Sequence, residues 1–139
     1  SIQQHMPDFL PDRLEAGTHN MPGIAGLLAG VRYVQERGEA AICRHERELA
    51  QMAVKGLQKL NGVQVFALPD LRAQTGVVSF RMEGRAAEDI AVRAGLHCAP
   101  LAHRSAGTLE TGTVRVSVSD FNTPGEITHL IAAVKALIS

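Results

Sequence analysis

Apolar positions recur along this chain first at helical spacing, then at strand spacing, then at helical spacing again. Ile24, Leu27, Leu28, Val31 and Val34 fall three, four or seven residues apart, one face of a helix expected over Ile24–Arg37. Gly38 is placed to close that helix. A second helix is expected over Glu39–Lys59, with Ile42, Leu49, Met52, Ala53 and Leu60 inward. Its outward face carries Arg44, Glu46, Arg47, Glu48, Lys55 and Lys59, and Asn61-Gly62 ends it. β-like runs follow over Val63–Ala67, Gly76–Met82 and Ile90–Ala94. A fourth, Thr113–Ser119, alternates Val114, Val116 and Val118 against Arg115, Ser117 and Ser119. The last helix is announced by a capping box, Thr123 with Glu126, and by Pro124 at its first position. Ile127, Leu130, Ile131, Val134, Leu137 and Ile138 then form its apolar face.

Two helices, three or four strands and a final helix read as an α+β fold. Helices would pack on one face of a small, mostly antiparallel sheet. Residues 1–23 differ in kind. They hold the turn signals Met6-Pro7-Asp8, Leu10-Pro11-Asp12, Ala16-Gly17-Thr18 and Met21-Pro22-Gly23 and no core of their own. They are expected to form an irregular arm lying over a further domain or a second subunit, with 24–139 as the folded domain. Their apolar residues also point to association, as a dimer or an arm-exchanged pair.

Composition narrows the function classes. The chain has 139 residues, enough for one domain with a core. Fourteen basic residues balance fourteen acidic ones, so charge gives no reason to expect nucleic acid or an anionic membrane as partner. Four Phe, one Tyr and no Trp offer few stacking platforms for single strands. No apolar run approaches the roughly 18 residues of a membrane span, and no signal peptide is evident. The first residue is Ser1 rather than methionine, which fits a processed or truncated piece. Two cysteines, Cys43 and Cys98, make no disulfide framework, and a reducing cytoplasm is the expected compartment.

The most informative segment for chemistry is Ile90-Ala91-Val92-Arg93-Ala94-Gly95-Leu96-His97-Cys98-Ala99-Pro100. A strand runs into glycine, then His-Cys, then proline, and loops at strand ends are where scaffolds present reactive side chains. Positive charge beside a thiol, here Arg93 and His97, favours the nucleophilic thiolate. The plainer reading is an inert cysteine acting as a small hydrophobe. A metal reading would take His97, Cys98 and His103, with Cys43 and His45 elsewhere. That spacing fits no strong zinc pattern, and no metal is expected. Arg115 stands amid an apolar alternating strand, where a guanidinium suits an amino-acid carboxylate; a plain solvent-facing role is equally open. Gly17-Thr18-His19-Asn20 precedes a helix start, a place that suits anions as well as ordinary turns. The only lysines are Lys55, Lys59 and Lys135, all on helices and off the apolar stripe. None looks like the buried lysine of a Schiff base.

Three stretches together carry a family resemblance. They are Arg13-Leu14-Glu15-Ala16-Gly17-Thr18-His19-Asn20-Met21-Pro22-Gly23-Ile24-Ala25-Gly26-Leu27, Val92-Arg93-Ala94-Gly95-Leu96-His97-Cys98-Ala99, and Gly112-Thr113-Val114-Arg115-Val116-Ser117 with Phe121-Asn122-Thr123. In this order they resemble the C-terminal part of class V aminotransferase-fold enzymes, the cysteine desulfurase and selenocysteine lyase group. The resemblance implies the small C-terminal domain of a fold-type I transferase dependent on pyridoxal phosphate (PLP). It implies that Cys98 takes sulfur (or selenium) from cysteine (or selenocysteine) as a persulfide, and that Arg115 holds the substrate carboxylate. Arg93 and His97 match neighbours of that loop and are assigned to substrate binding. Gly17 and Thr18 match a loop that approaches the cofactor phosphate of the partner subunit in a homodimer. A cysteine-like substrate and a sulfur-acceptor protein are the implied partners. The cofactor lysine of such enzymes lies upstream of the first stretch, so this chain alone is expected to be inactive. Two rivals remain: a class V transaminase or lyase whose cysteine is not catalytic, and an inactive fragment serving as a folded module.

One departure from the family stands out. Only Arg85–Asp89 separate the strand ending near Gly84 from that beginning at Ile90, where the family has a helix and a turn. Five residues cannot make the crossover that parallel strands require. Either residues are missing there or the chain has a true deletion.

Overall fold

A computed structural model describes residues 5–15, 17–85 and 94–138. The chain divides into two compact units, 1–37 and 38–139.

The first unit holds a short 3₁₀ turn, Asp12–Leu14, and helix α1, Met21–Arg37. α1 begins three residues before the apolar periodicity does. The reason is local: the Asn20 side chain accepts from the Gly23 N–H at 3.0 Å, satisfying a donor that the helix start leaves open. Pro22 is tolerated there because the first turn needs no N–H from it. No residue of α1 is buried, and its stripe of Ile24, Leu27, Leu28, Val31 and Val34 is exposed.

The second unit opens at Gly38, whose φ of +83° breaks the helical path. Its carbonyl then accepts from Ala41 and Ile42, so it starts α2, Glu39–Leu57, as well as ending α1. Strands β1 (Val63–Phe66), β2 (Val77–Met82), β3 (Ala94–Gly95) and β4 (Thr113–Ser117) follow, with α3 (Pro100–Ala106) between the last two and α4 (Pro124–Ile138) at the end. The sheet order is β1-β2-β4-β3, and every pairing is antiparallel.

Register fixes the two faces of the sheet, because directly opposed residues share a side. Phe80 pairs with Val65 and Val114, and Val78 with Val116. This apolar face packs under α2 and α4, as expected for an α+β layer. Leu49, Ala50, Ala53, Val54 and Leu57 of α2 meet Val78, Phe80, Met82, Val114 and Val118, closed by Ile127 and Val134 of α4. On the other face Phe66 pairs with Ser79 and Ser79 with Arg115. That face receives α3, which hydrophobic periodicity did not announce.

The capping box forms as expected: the Thr123 N–H donates to Glu126 at 2.7 Å and the Glu126 N–H to Thr123 Oγ1 at 3.4 Å. Hydrogen bonds to the Glu126 carboxylate, chiefly from the Thr123 N–H, then from the Thr123 hydroxyl and Asn122, hold its pKa below the ordinary 4.5. The expected strand Ile90–Ala94 is described only at its end, Ala94. Its other residues, Arg93 among them, lie outside the described residues, as does most of the short connection Arg85–Asp89.

Candidate active site

The Cys98 turn is built by the last strand pair. Gly95 lies opposite Thr113, and a Cβ on Gly112 would stand 2.9 Å from the Gly95 Cα. The two backbone segments therefore approach more closely there than a side chain at Gly112 would allow. From this base the chain turns sharply. The Ala99 N–H donates to the Leu96 carbonyl at 2.8 Å, and the two central residues, His97 and Cys98, have φ of +48° and +60°. Positive φ at both positions is the pattern of a type I′ turn, which normally selects glycine or asparagine. Held at residues with a Cβ, it costs about 1–3 kcal/mol each and needs support from the surroundings.

That support comes from β4 and α3. His97 Nε2 lies 2.9 Å from the Thr113 carbonyl. A carbonyl only accepts, so Nε2 carries the hydrogen and Nδ1 is left as the other end of the ring. The His97 and His103 rings stand 6.2 Å apart, tilted by 37°. His103 is buried on α3, with Nδ1 2.8 Å from Thr108 Oγ1. α3 itself starts with Pro100 at its first position and stops at Gly107, whose φ is +67°.

Cys98 is exposed at the crest of this turn, and it is a free thiol, as is the exposed Cys43 of α2. Arg115 is half-buried, two residues beyond Thr113 on β4 and on the same face of the sheet. α3 stands across a cleft from the neighbouring part of that face. Between them lies a cleft of about 150 Å³ lined by Phe66, Ser79, Ala102, His103, Ala106, Thr108 and Thr113. Thus Cys98, His97 and Arg115 belong to one structure, joined through Thr113. Among the described residues no three His, Cys, Asp or Glu side chains gather to hold one metal ion. Nor is any helix among them long and apolar enough to cross a membrane.

The remaining expected site residues fall elsewhere. Gly17, with φ of +82°, and exposed Thr18 belong to the first unit, in the loop just before Asn20. Lys55, Lys59 and Lys135 are all exposed. Sequence reasoning missed Thr108 and Thr113 and met His103 only as a metal candidate. The signal for the helix that carries His103 was present, a proline seven residues before a glycine, but α3 is only two turns long.

Known proteins match most of this chain. Residues 1–130 match the aminotransferase class-V family model. The probable cysteine desulfurase 2 of Mycobacterium leprae (strain TN) is 37% identical over 133 residues, covering 89% of this chain and 31% of that protein. The cysteine desulfurase of Synechococcus elongatus is 38% identical over 136 residues, covering 91% of this chain and 21% of that protein. Among solved structures, apo cysteine desulfurase from Thermococcus onnurineus NA1 superposes with a TM-score of 0.81 at 34% identity, over 92% of this chain and 34% of that one. The Escherichia coli cysteine desulfurase CsdA, in an S-sulfonic acid form, gives 0.76 at 30% identity, over 91% and 32%. The chain spans about a third of the length of the first of these relatives, and less of some. In sequence over residues 1–130 and in fold, this chain belongs to the aminotransferase class-V family, a family of PLP enzymes, and its relatives are cysteine desulfurases.

Proposed function

We propose that this chain carries the sulfur-accepting thiol and the carboxylate-binding arginine of a cysteine desulfurase, Cys98 and Arg115. The observation that carries the reading is one piece of geometry: an exposed cysteine on a braced left-handed turn, pinned by His97 to the strand that bears Arg115. In the proposed transfer the Cys98 thiolate attacks the substrate sulfur. A sulfur–sulfur bond forms, the substrate Cβ–S bond breaks, and its electron pair is left on Cβ, where a proton completes alanine. That pair needs an electron sink, which PLP would supply when bound. Lys55, Lys59 and Lys135 are all exposed, unlike the dehydrated setting a Schiff-base lysine takes, and the isolated chain is expected to release no alanine from cysteine.

Arg115 fits the substrate carboxylate because a guanidinium on a sheet face offers paired donors in a fixed plane. Arg93 and His97 are assigned to the same substrate. Gly17 and Thr18 are assigned to a cofactor phosphate across a homodimer contact. Selenocysteine is a further substrate of the same chemistry, and a thiol of an acceptor protein would take the persulfide onward from an exposed Cys98.

The test is Cys98→Ala in a full-length protein carrying this segment, supplied with PLP and cysteine. The persulfide should vanish from the peptide around residue 98 while the cofactor spectrum is retained. Arg115→Ala should raise KM for cysteine roughly ten- to hundredfold, the worth of a charged hydrogen bond of about 1.5–3 kcal/mol. Undiminished sulfur release by Cys98→Ala would overturn the assignment.

A further inference from the structure

We infer that His103 and Thr108 are positioning residues, a buried brace that keeps the Cys98 turn left-handed. The inference rests on the reading of Cys98 as the sulfur acceptor, but the brace is argued from its own bonds.

Residues 95–113 form a loop closed at its base by the Gly95–Thr113 pair. Cys98 stands near one end of that loop, on a turn that its own residues disfavour, since neither His97 nor Cys98 is glycine. The turn's own hydrogen bond, Ala99 to Leu96, does not select the sign of φ; a type I turn closes the same ring with negative values. Something outside the turn must choose. Two contacts reach it. One is the His97 bond to the Thr113 carbonyl. The other is His103, whose ring lies 6.2 Å from the His97 ring and limits where that ring can go.

His103 is in turn fixed on both sides. Its own N–H donates to the Ala99 carbonyl at 3.1 Å, tying it to the end of the turn. Its carbonyl accepts from the Thr108 N–H at 2.9 Å, and its Nδ1 meets Thr108 Oγ1 at 2.8 Å. Thr108 is 1% exposed, and its carbonyl accepts from the Gly112 N–H at 2.9 Å. The path from Cys98 through Ala99, His103, Thr108 and Gly112 to Thr113 thus returns to the strand that holds His97. A buried imidazole bonded to a buried hydroxyl is strongly oriented, because leaving either group unpaired in that place is costly. Neither His103 nor Thr108 is assigned any contact with substrate; each acts on Cys98 through His97 and the turn.

The experiment uses the 139-residue chain, with Cys43→Ser so that Cys98 is the sole thiol. The readout is the strong intraresidue amide–Hα NMR cross-peak that marks a left-handed residue, measured at His97 and Cys98. Thr108→Val keeps the shape and removes the hydroxyl; His103→Leu removes the ring nitrogens. Both should lose the left-handed signature at Cys98. Thr108→Ser restores the hydroxyl, and His103→Asn places a nitrogen or oxygen where Nδ1 stood; both should retain the signature. Melting curves show which variants remain folded, and a variant that unfolds yields its place to its conservative counterpart. Loss of the signature in both Ser and Asn variants, with folding retained, would show a merely steric role and overturn the proposal. So would full retention of the signature in Thr108→Val. A failure of persulfide chemistry at Cys98 leaves these spectra unaffected, so the two readings fail separately.

Discussion

Gly112→Ala is the substitution that most directly probes how the Cys98 loop is held. Two separate costs apply at this position. Gly112 has φ of +61°, and a residue with a Cβ pays about 1–2 kcal/mol to remain in the left-handed region. In addition the new Cβ would lie 2.9 Å from the Gly95 Cα and 3.1 Å from its carbonyl carbon and oxygen. Those are backbone atoms of β3, which cannot swing aside as a side chain can. Forcing an extra carbon into a packed contact costs about a further 1–3 kcal/mol. Gly84 supplies the control. Its φ is +72°, but no atom lies within 4 Å of a Cβ built on it. Gly84→Ala should therefore lose only the conformational part, lowering the melting temperature by about 4–8 °C for each kcal/mol in a unit of this size. Gly112→Ala should lower it about twice as far or more. Thermal unfolding followed by circular dichroism reads both, and amide exchange at Thr113 should quicken in Gly112→Ala alone. Equal melting shifts in the two variants would refute the claim that strand approach, rather than φ, is what Gly112 provides.

Two further expectations concern the rest of the second unit. Phe80 is 1% exposed at the centre of the sheet's apolar face, so Phe80→Ala should cost about 3–5 kcal/mol in chemical denaturation. Val77→Ala, on the opposite face and 42% exposed, should stay within about 0.5 kcal/mol. At the start of α4, Glu126 is held below its ordinary value of 4.5, so the folded form binds its proton less readily than the unfolded form. The stability it adds is fully present above 4.5 and is lost as pH falls through the lowered folded value. Melting of Glu126→Gln should therefore trail the parent at neutral pH and converge with it in acid; a gap that persists unchanged in acid would count against the bonded carboxylate.

Much of this fold was legible because its helices obey local rules. α4 lies where its capping box and apolar periodicity put it, since both signals act within a single turn. α2 was legible in extent but less so in orientation. Leu49 and Ala53 are buried as expected, while Ile42, Met52 and Leu60 are only partly so, and Ala50, Val54 and Leu57 take the deepest places. Periodicity finds the apolar side of a helix; the sheet beneath decides which strip of that side it contacts. The strand ends were set by contacts far along the chain. β4 ends at Ser117 rather than Ser119: the Val118 N–H still bonds the in-register Gly76 carbonyl, but the Ser119 N–H turns away to Asn122 Oδ1. The His45 ring lies 2.9 Å from the Asn122 carbonyl, a link of 77 residues that no local pattern encodes.

The sequence nominates candidate residues but not their arrangement, and the difference has a physical cause. Alternation along Thr113–Ser119 separates Arg115 from the valines, but it cannot say which face of the sheet will be covered. The antiparallel register decides that, by setting Ser79 opposite Arg115 and Gly95 opposite Thr113. Cys98 then comes under the control of β4 through a ring-to-backbone bond spanning sixteen residues. His97 shows the consequence most clearly. In the sequence it is a basic neighbour of a thiol, a source of positive charge. In the structure its Nε2 donates to a carbonyl, which makes the ring part of the support for the turn. What the structure adds at Cys98 is the left-handed backbone on which it stands, held there by groups that the sequence scatters between His97 and Thr113.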